Sequence, residues 1–279
     1  MTGIPPNGAR GILHARAAEE RFQVRRIAPP AGLAALVEFF WLLRWDLRGR
    51  PAHRQRVLTR PSVHLTFTSY LTTGATRARI VGVVRDDFVE EIAGEGRVVG
   101  AAFRPGGFRP FLDGPVSSVT GRFVPVPEVF GGAGRALGEK IFATPDGGAA
   151  LGLLEAFLSG LGAEAGPQGE RAARAVDRIA ARPGPVQVGE LADGLGMSTR
   201  SVQRLFHEYV GIGPKWVIRR FRMQEAAERA AAGGGVDWAA LAAELGYADQ
   251  AHFTRDFTAS VGTSPARYAR DAGPRPGGA

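Results

Sequence analysis

The stretch Gly246–Arg270, GYADQAHFTRDFTASVGTSPARYAR, decides how the rest of the chain is read. Asp249 is placed to cap a helix starting at Gln250, and Phe253, Phe257 and Val261 then recur at i, i+4 and i+8 on one apolar face. Off that stripe stand Gln250, His252, Thr254 and Arg255, side chains able to hydrogen-bond base edges or phosphates. Upstream, Trp238 to Leu245 reads as a short helix ending at Gly246, a residue that tolerates the positive φ of a helix C-terminus. Short helix, tight turn, second helix is the helix-turn-helix layout, whose second helix enters the major groove of DNA.

The same unit occurs once before. Leu191, Ala192, Leu195 and Gly196 match Leu241, Ala242, Leu245 and Gly246 at an offset of 50, and Arg204, Phe206, Gly211 and Pro214 match Arg255, Phe257, Gly262 and Pro265 at an offset of 51. Two copies imply two recognition helices. Between them, PKWVIRRFRMQEAAERAAA (Pro214–Ala232) opens on a proline and stops at Gly233-Gly234-Gly235, as a helix should. At about 1.5 Å per residue it spans about 28 Å. That is near the roughly 34 Å between successive major-groove faces on one side of B-DNA.

Gly-Tyr-x-Asp-Gln-x-His-Phe-x-Arg-x-Phe followed by Gly-x-Ser-Pro-x-x-Tyr, from Gly246 to Tyr268, resembles the signature of AraC-type transcriptional regulators. Ser198, Gln203, Arg204, Phe206 and Gly211-x-x-Pro214 are similar to that family's first helix-turn-helix, so the resemblance covers roughly residues 168–272. It implies an all-α C-terminal domain of seven helices, two helix-turn-helix units joined by a rigid helix. It also implies base-reading positions at Arg200, Gln203 and Arg204 in the first copy and at Gln250, His252 and Arg255 in the second. Arginine suits guanine O6 and N7, and glutamine suits adenine N6 and N7, because the paired donors and acceptors match. For His252, phosphate contact and a hydrogen bond to the preceding turn stand as equal alternatives.

Composition sets the outer limits. The 279 residues, 44% hydrophobic, are enough for a sizeable core and two domains. No run approaches 18 uninterrupted apolar residues, and MTGIPPNGAR lacks the apolar core of a secretory signal, so a cytoplasmic, non-membrane protein is expected. Zero cysteines exclude disulfides, thiolate zinc sites and cysteine nucleophiles. Net charge +8 and a pI near 10.8 favour an anionic partner. Local clustering says more: six lysines and arginines but one acid, Glu208, lie between Arg200 and Arg222.

The N-terminal half reads differently. Residues 1–20 read as a loose leader. LAALVEFFWLLRW (Leu33–Trp45) reads as a buried helix, or a helix running into a strand. RVLTR, VHLTFTSYLTT, ARIVGVVRDDFVEEI and RVVGAAFRP read as strands, Val63, Leu65 and Phe67 alternating with His64, Thr66 and Thr68. Phe123–Pro127 reads as extended, and Val129–Phe142 and Ala149–Leu161 as helices. The stripe of Leu151, Leu154, Phe157, Leu158 and Leu161 suits core packing or a dimer seam. Leu58-x-x-Pro61-x-Val63-His64-Leu65-x-Phe67 and Val99-Gly100-x-x-Phe103-Arg104-Pro105-Gly106-Gly107-Phe108 resemble an uncharacterised sensor-type domain found ahead of AraC-type DNA-binding domains.

The fold class expected is therefore α+β and multi-domain. A leader spans 1–20, a β-rich sensor or dimerisation domain with flanking helices spans 21–161 (a cupin-like barrel being one form), a linker 162–169, the DNA-binding domain 170–272 and a tail 273–279. Trp41, Trp45, His64, Phe67 and Phe103 are candidate walls of an effector cavity, or plain core. The five histidines show no metal-binding spacing, so no metal and no cofactor are expected. Asp86-Asp87 and Glu90-Glu91 read as a solvated turn and its flank. The partners expected are double-stranded DNA, a small-molecule effector, a second copy of the chain and, for an activator, RNA polymerase. The alternative is an enzyme, metal-dependent or otherwise, in the β-rich domain with a DNA-binding appendage.

Overall fold

The structure, a computed structural model, describes residues 11–14, 18–86, 88–181, 184, 186–233 and 235–272. Asp87, Gly234, the tail 273–279 and most of the expected leader lie outside the described residues.

The N-terminal half is antiparallel β-structure. Its strands are β1 (Phe22–Ile27), β2 (Val37–Leu47), β3 (His53–Val57), β4 (His64–Tyr70), β5 (Ala75–Val81), β6 (Phe88–Ile92), β7 (Gly94–Phe103) and β8 (Phe123–Pro125). Six form one sheet in the order β1-β2-β7-β4-β5-β8, while β3 and β6 pair as a separate ribbon. The short β8 is an edge strand, where its proline costs no internal ladder. Helices α1 (Val126–Ala143) and α2 (Gly147–Gly160) cover one face of the sheet. Leu151, Leu154 and Leu158 of α2 are buried in the resulting core, so the apolar stripe serves packing within the chain.

Of the two readings of Leu33–Trp45, a continuous buried helix is absent and a helix running into a strand is the nearer, though the helical part is only one turn. A short 3-10 turn at Ala31–Leu33 leads directly into β2, the longest strand. Phe40 and Leu42 point to the helix-covered core, whereas Phe39, Trp41 and Leu43 line a cavity on the opposite face. A strand covered on both faces needs apolar residues on both, which erases the alternation that would identify it. The described part of the leader is anchored, not loose: Ile12 bridges to Val57, Leu13 is buried, and Gln55 Nε2 donates to the Leu13 carbonyl at 2.8 Å.

Seven α-helices follow among the described residues: α3 (Gly166–Ala181), α4 (Val188–Asp193), α5 (Thr199–Leu205), α6 (Pro214–Ala232), α7 (Trp238–Glu244), α8 (Gln250–Val261) and α9 (Pro265–Ala272). Because α3 begins at Gly166, the connection is shorter than the linker expected over 162–169. A Cβ on Gly106, at φ +86°, would come within 2.5 Å of the Gly169 carbonyl oxygen, so the two halves meet there backbone to backbone. One continuous apolar core runs from the β-sheet through α1 and α2 into α3–α6. A second core, built by Met223, Ala227, Leu241, Phe253, Phe257 and Tyr268, holds the last helices together. No helix among the described residues is long and apolar enough to cross a membrane.

Candidate nucleic-acid interface

The sequence repeat is a structural one, and its capping residues show why. Helix α5 is capped by Ser198, whose Oγ accepts from the Ser201 N–H at 3.2 Å, and α8 by Asp249, whose Oδ1 accepts from the His252 N–H at 2.6 Å. Each cap satisfies a backbone donor that a helix start leaves unpaired. The turns before them contain Gly196 (φ +63°) and Gly246 (φ +76°), and the helical segments end at Gly211 (φ +88°) and Gly262 (φ +84°), left-handed positions at which glycine carries no Cβ penalty. Val202, Phe206 and Val210 in the first unit and Phe253, Phe257 and Val261 in the second are buried at matching positions.

What remains outside is the set expected from sequence. Arg200, Gln203 and Arg204 on α5, and Gln250, His252 and Arg255 on α8, are all exposed. Arg204 and Arg255 occupy the same position in the two units. Among the described residues neither guanidinium has a hydrogen bond or ion pair to protein. His252 differs: its ring stands edge-on to Tyr247 at 5.1 Å between centroids, with Nε2 4.0 Å from Asp256. Asp256 in turn accepts from Tyr247 Oη at 3.0 Å and pairs with Arg219 of α6 at 2.9 Å. Burial and that carboxylate push the Tyr247 hydroxyl pKa up, so it stays protonated and donates.

Helix α6 is fastened at both ends of the repeat. Arg222 donates to the Gly184 and Val186 carbonyls ahead of α4, while Arg219 reaches Asp256 on α8. Val217, Ile218 and Phe221 share the core of the first unit; Met223, Ala226 and Ala230 share that of the second. One feature was not legible in the sequence: after Leu205 the first recognition helix continues as a π turn, Phe206–Val210, with Gly211 N–H donating to the Phe206 carbonyl. That turn abuts a 3-10 turn of the β-rich half, Val116–Val119. Across the seam Arg109 pairs with Glu208 at 2.7 Å, Ser117 Oγ meets His207 Nε2 at 3.0 Å, and Thr120 Oγ1 donates to the Gly211 carbonyl at 2.7 Å.

A cavity of about 490 Å³ lies between the six-stranded sheet and the β3–β6 ribbon. Of the five residues read from sequence as candidate cavity walls or plain core, Trp41 and His64 line it and Trp45, Phe67 and Phe103 do not. Phe67 lies three residues from His64 on β4, so it points through the sheet to Phe142 of α1. Phe103 faces the same core and stacks edge-on against Phe108 at 4.8 Å. Trp45 shares the face of Trp41 but is buried with Phe22, Leu47 and Ile92, its Nε1 donating to the Ala93 carbonyl at 3.0 Å. The polar wall is one that sequence reading missed: Arg26, Glu38, Arg60, Arg79 and Glu90 all reach the cavity. Glu90, read from sequence as part of a solvated flank, instead pairs with Arg77 and Arg79, whereas Glu91 is exposed near Arg54. Among the described residues no three His, Asp or Glu side chains converge as a metal site would require.

Residues 25–125 match a domain of unknown function (DUF6597), and residues 191–271 match a helix-turn-helix domain. No curated protein matches the chain. Among solved structures, an AraC-type transcriptional regulator from Chromobacterium violaceum is 23% identical, with 41% of this chain and 100% of that one covered and a TM-score of 0.35. The C-terminal domain of AraT, a response regulator from Geobacillus stearothermophilus, is also 23% identical over 38% of this chain and 88% of its own, with a TM-score of 0.35. ToxT from Vibrio cholerae, bound to (E)-4-(8-methylnaphthalen-1-yl)but-3-enoic acid, is 9% identical over 90% of this chain and 99% of its own, at a TM-score of 0.40.

Proposed function

We propose, from the premise that this chain is a DNA-binding transcription regulator with an AraC-type helix-turn-helix domain behind a β-rich domain, that it reads two adjacent major-groove segments of one duplex under the control of a small molecule held in the β-rich half. The observation that carries the first clause is the placement of Arg204 and Arg255. They are matched, exposed and unengaged, one in each of two capped hairpins fastened to a single 19-residue helix. Selection of bound fragments from random duplex DNA should return two short motifs about 10 base pairs apart, centre to centre. A single uninterrupted motif would refute the two-segment reading.

The control clause draws on contacts between the cavity wall and α6. Leu58 and Arg60 line the cavity; the Leu58 carbonyl accepts from Gln224 Nε2 at 2.8 Å, and the Arg60 guanidinium lies over the Phe221 ring at 5.5 Å. Val84 lines it as well, and the carbonyl of the next residue, Arg85, accepts from Trp216 Nε1 at 3.2 Å and from Arg220 at 2.9 Å. A ligand that favours one placement of these wall segments therefore biases α6 and the two hairpins it carries. The direction of regulation follows from whether the favoured placement fits DNA. DNA affinity measured with and without small-molecule extract from cells tests this clause; an unchanged affinity would count against it.

A further inference from the structure

We propose that the spacing between the two DNA motifs is set by a direct clasp between the hairpins, in which Arg219, Arg222, Tyr247 and Asp256 are positioning residues that need touch no base. The inference rests on the two-segment reading above and adds what fixes the distance between the segments.

Helix α6 divides its faces between two tasks. Trp216, Arg220 and Gln224 recur every fourth residue and bond to the β-rich half, at the Arg85 and Leu58 carbonyls. Arg219 and Arg222, three residues apart and so about 60° from one another around the helix, reach the hairpins instead. Arg219 pairs with Asp256 of α8 at 2.9 Å. Arg222 donates to the carbonyls ahead of α4, from Nε to Gly184 at 3.3 Å and from Nη2 to Val186 at 3.4 Å. The same guanidinium lies over the Tyr247 ring, 5.8 Å from its centroid, within reach of a cation–π contact. One side chain thus holds the entry to the first hairpin and the turn of the second.

The backbones meet at the same place: a Cβ on Gly184 would come within 3.3 Å of the Glu244 carbonyl oxygen, at the end of α7. Tyr247 Oη closes the clasp by donating to Asp256 at 3.0 Å, so that one carboxylate receives both the hydroxyl and Arg219. Apolar packing also joins each hairpin to α6, but such packing has no preferred direction and tolerates a small roll around the helix. Charged hydrogen bonds from a planar guanidinium fix angle as well as distance. DNA makes the difference count, because one base pair more between the motifs displaces the second by about 3.4 Å and turns it by about 34°.

The test uses the full chain and fluorescence anisotropy on the selected duplex and on duplexes with one base pair inserted or deleted between the motifs. The parent should lose about tenfold or more on either altered duplex, as for a motif placed out of reach of its hairpin. In Arg222→Gln and separately in Arg219→Gln, whose side chain is half exposed, that penalty should shrink to about threefold or less. A merely structural role would weaken all three duplexes alike, so an unchanged ratio in both variants overturns the clasp. So does a parent indifferent to the insertion although scrambling either motif abolishes binding, and in that case the two-segment reading stands. If scrambling one motif leaves affinity intact, the two-segment reading falls and the spacing role falls with it.

Discussion

Replacing Arg255 by alanine, and separately Arg204, tests whether the two hairpins read bases. Both side chains are exposed and make no protein hydrogen bond or ion pair among the described residues, so stability should change by less than about 0.5 kcal/mol. Binding should not be so forgiving. A bidentate arginine–guanine pair discriminates by about 1–3 kcal/mol, so each variant should lose about 5-fold to 150-fold in affinity for the selected duplex. The two sites sit in separate hairpins whose buried residues belong to different cores, so the losses should add and the double variant should lose about 2–6 kcal/mol. Fluorescence anisotropy on the selected duplex and on a shuffled one, at several salt concentrations, gives the assay. Base reading predicts a loss confined to the selected duplex with an unchanged salt slope. Phosphate contact predicts an equal loss on both and a slope smaller by about one. Parental affinity in either single variant, or equal losses on both duplexes, refutes the base-reading assignment.

Further outcomes follow from the same contacts. Ser198→Ala and Asp249→Ala each remove the side-chain cap of a recognition helix and should cost about 1 kcal/mol in thermal or denaturant unfolding; no loss in either would show the caps to be idle. Burial and the charge of Arg26 hold the His64 pKa well below its ordinary value, at about 4, so between pH 6.5 and pH 4 the unfolded chain binds a proton that the folded chain does not. Stability contributed by neutral His64 is complete above pH 6.5 and is lost as pH falls, about 2 kcal/mol by pH 5; His64→Gln should flatten the melting-temperature profile in that window, and an unaltered profile would contradict it. Gln224→Leu strips the buried Leu58 carbonyl of its donor and should cost about 1–3 kcal/mol in unfolding free energy. The same variant should blunt any ligand-dependent change in DNA affinity, and full retention of that response would exclude this contact as part of the route.

The DNA-binding half was legible because its determinants are local. A cap, a left-handed glycine and an apolar residue every fourth position sit within one hairpin, and duplication displayed them twice. The cavity was legible only in part, because its wall is assembled from strands far apart in sequence. Arg26 meets Trp41 through pairing of β1 with β2, and Trp41 meets Gly100 through pairing of β2 with β7; neither register can be read from composition or period. Some of the signal was nevertheless present. His64 and Phe67 are an odd number of residues apart and cannot share a face of one strand, so placing both in one cavity was inconsistent with the alternation already noted. The alternation also concealed something: His64, Thr66 and Thr68 form the polar face of β4, and that face looks into the enclosed space, not outward to solvent.

The seam between the halves gives the control proposal a mechanical form. The β-rich half touches the first hairpin through Arg109, Ser117 and Thr120, the linking helix through Leu58, Arg60 and Arg85, and the last helix through the His14 ring, whose centroid lies 4.8 Å from that of Tyr268. Gly262, which ends the second recognition helix, lies against the Arg56 guanidinium of β3. Strand β3 and the segment after it therefore face the cavity with Gln55, Val57 and Leu58 and face the DNA-binding half with Arg56 and the Leu58 carbonyl. A strand whose two sides serve the two halves cannot shift on one side without moving groups on the other. Control by a ligand then requires no displacement passed through the large sheet, only a change in where the β3 ribbon rests.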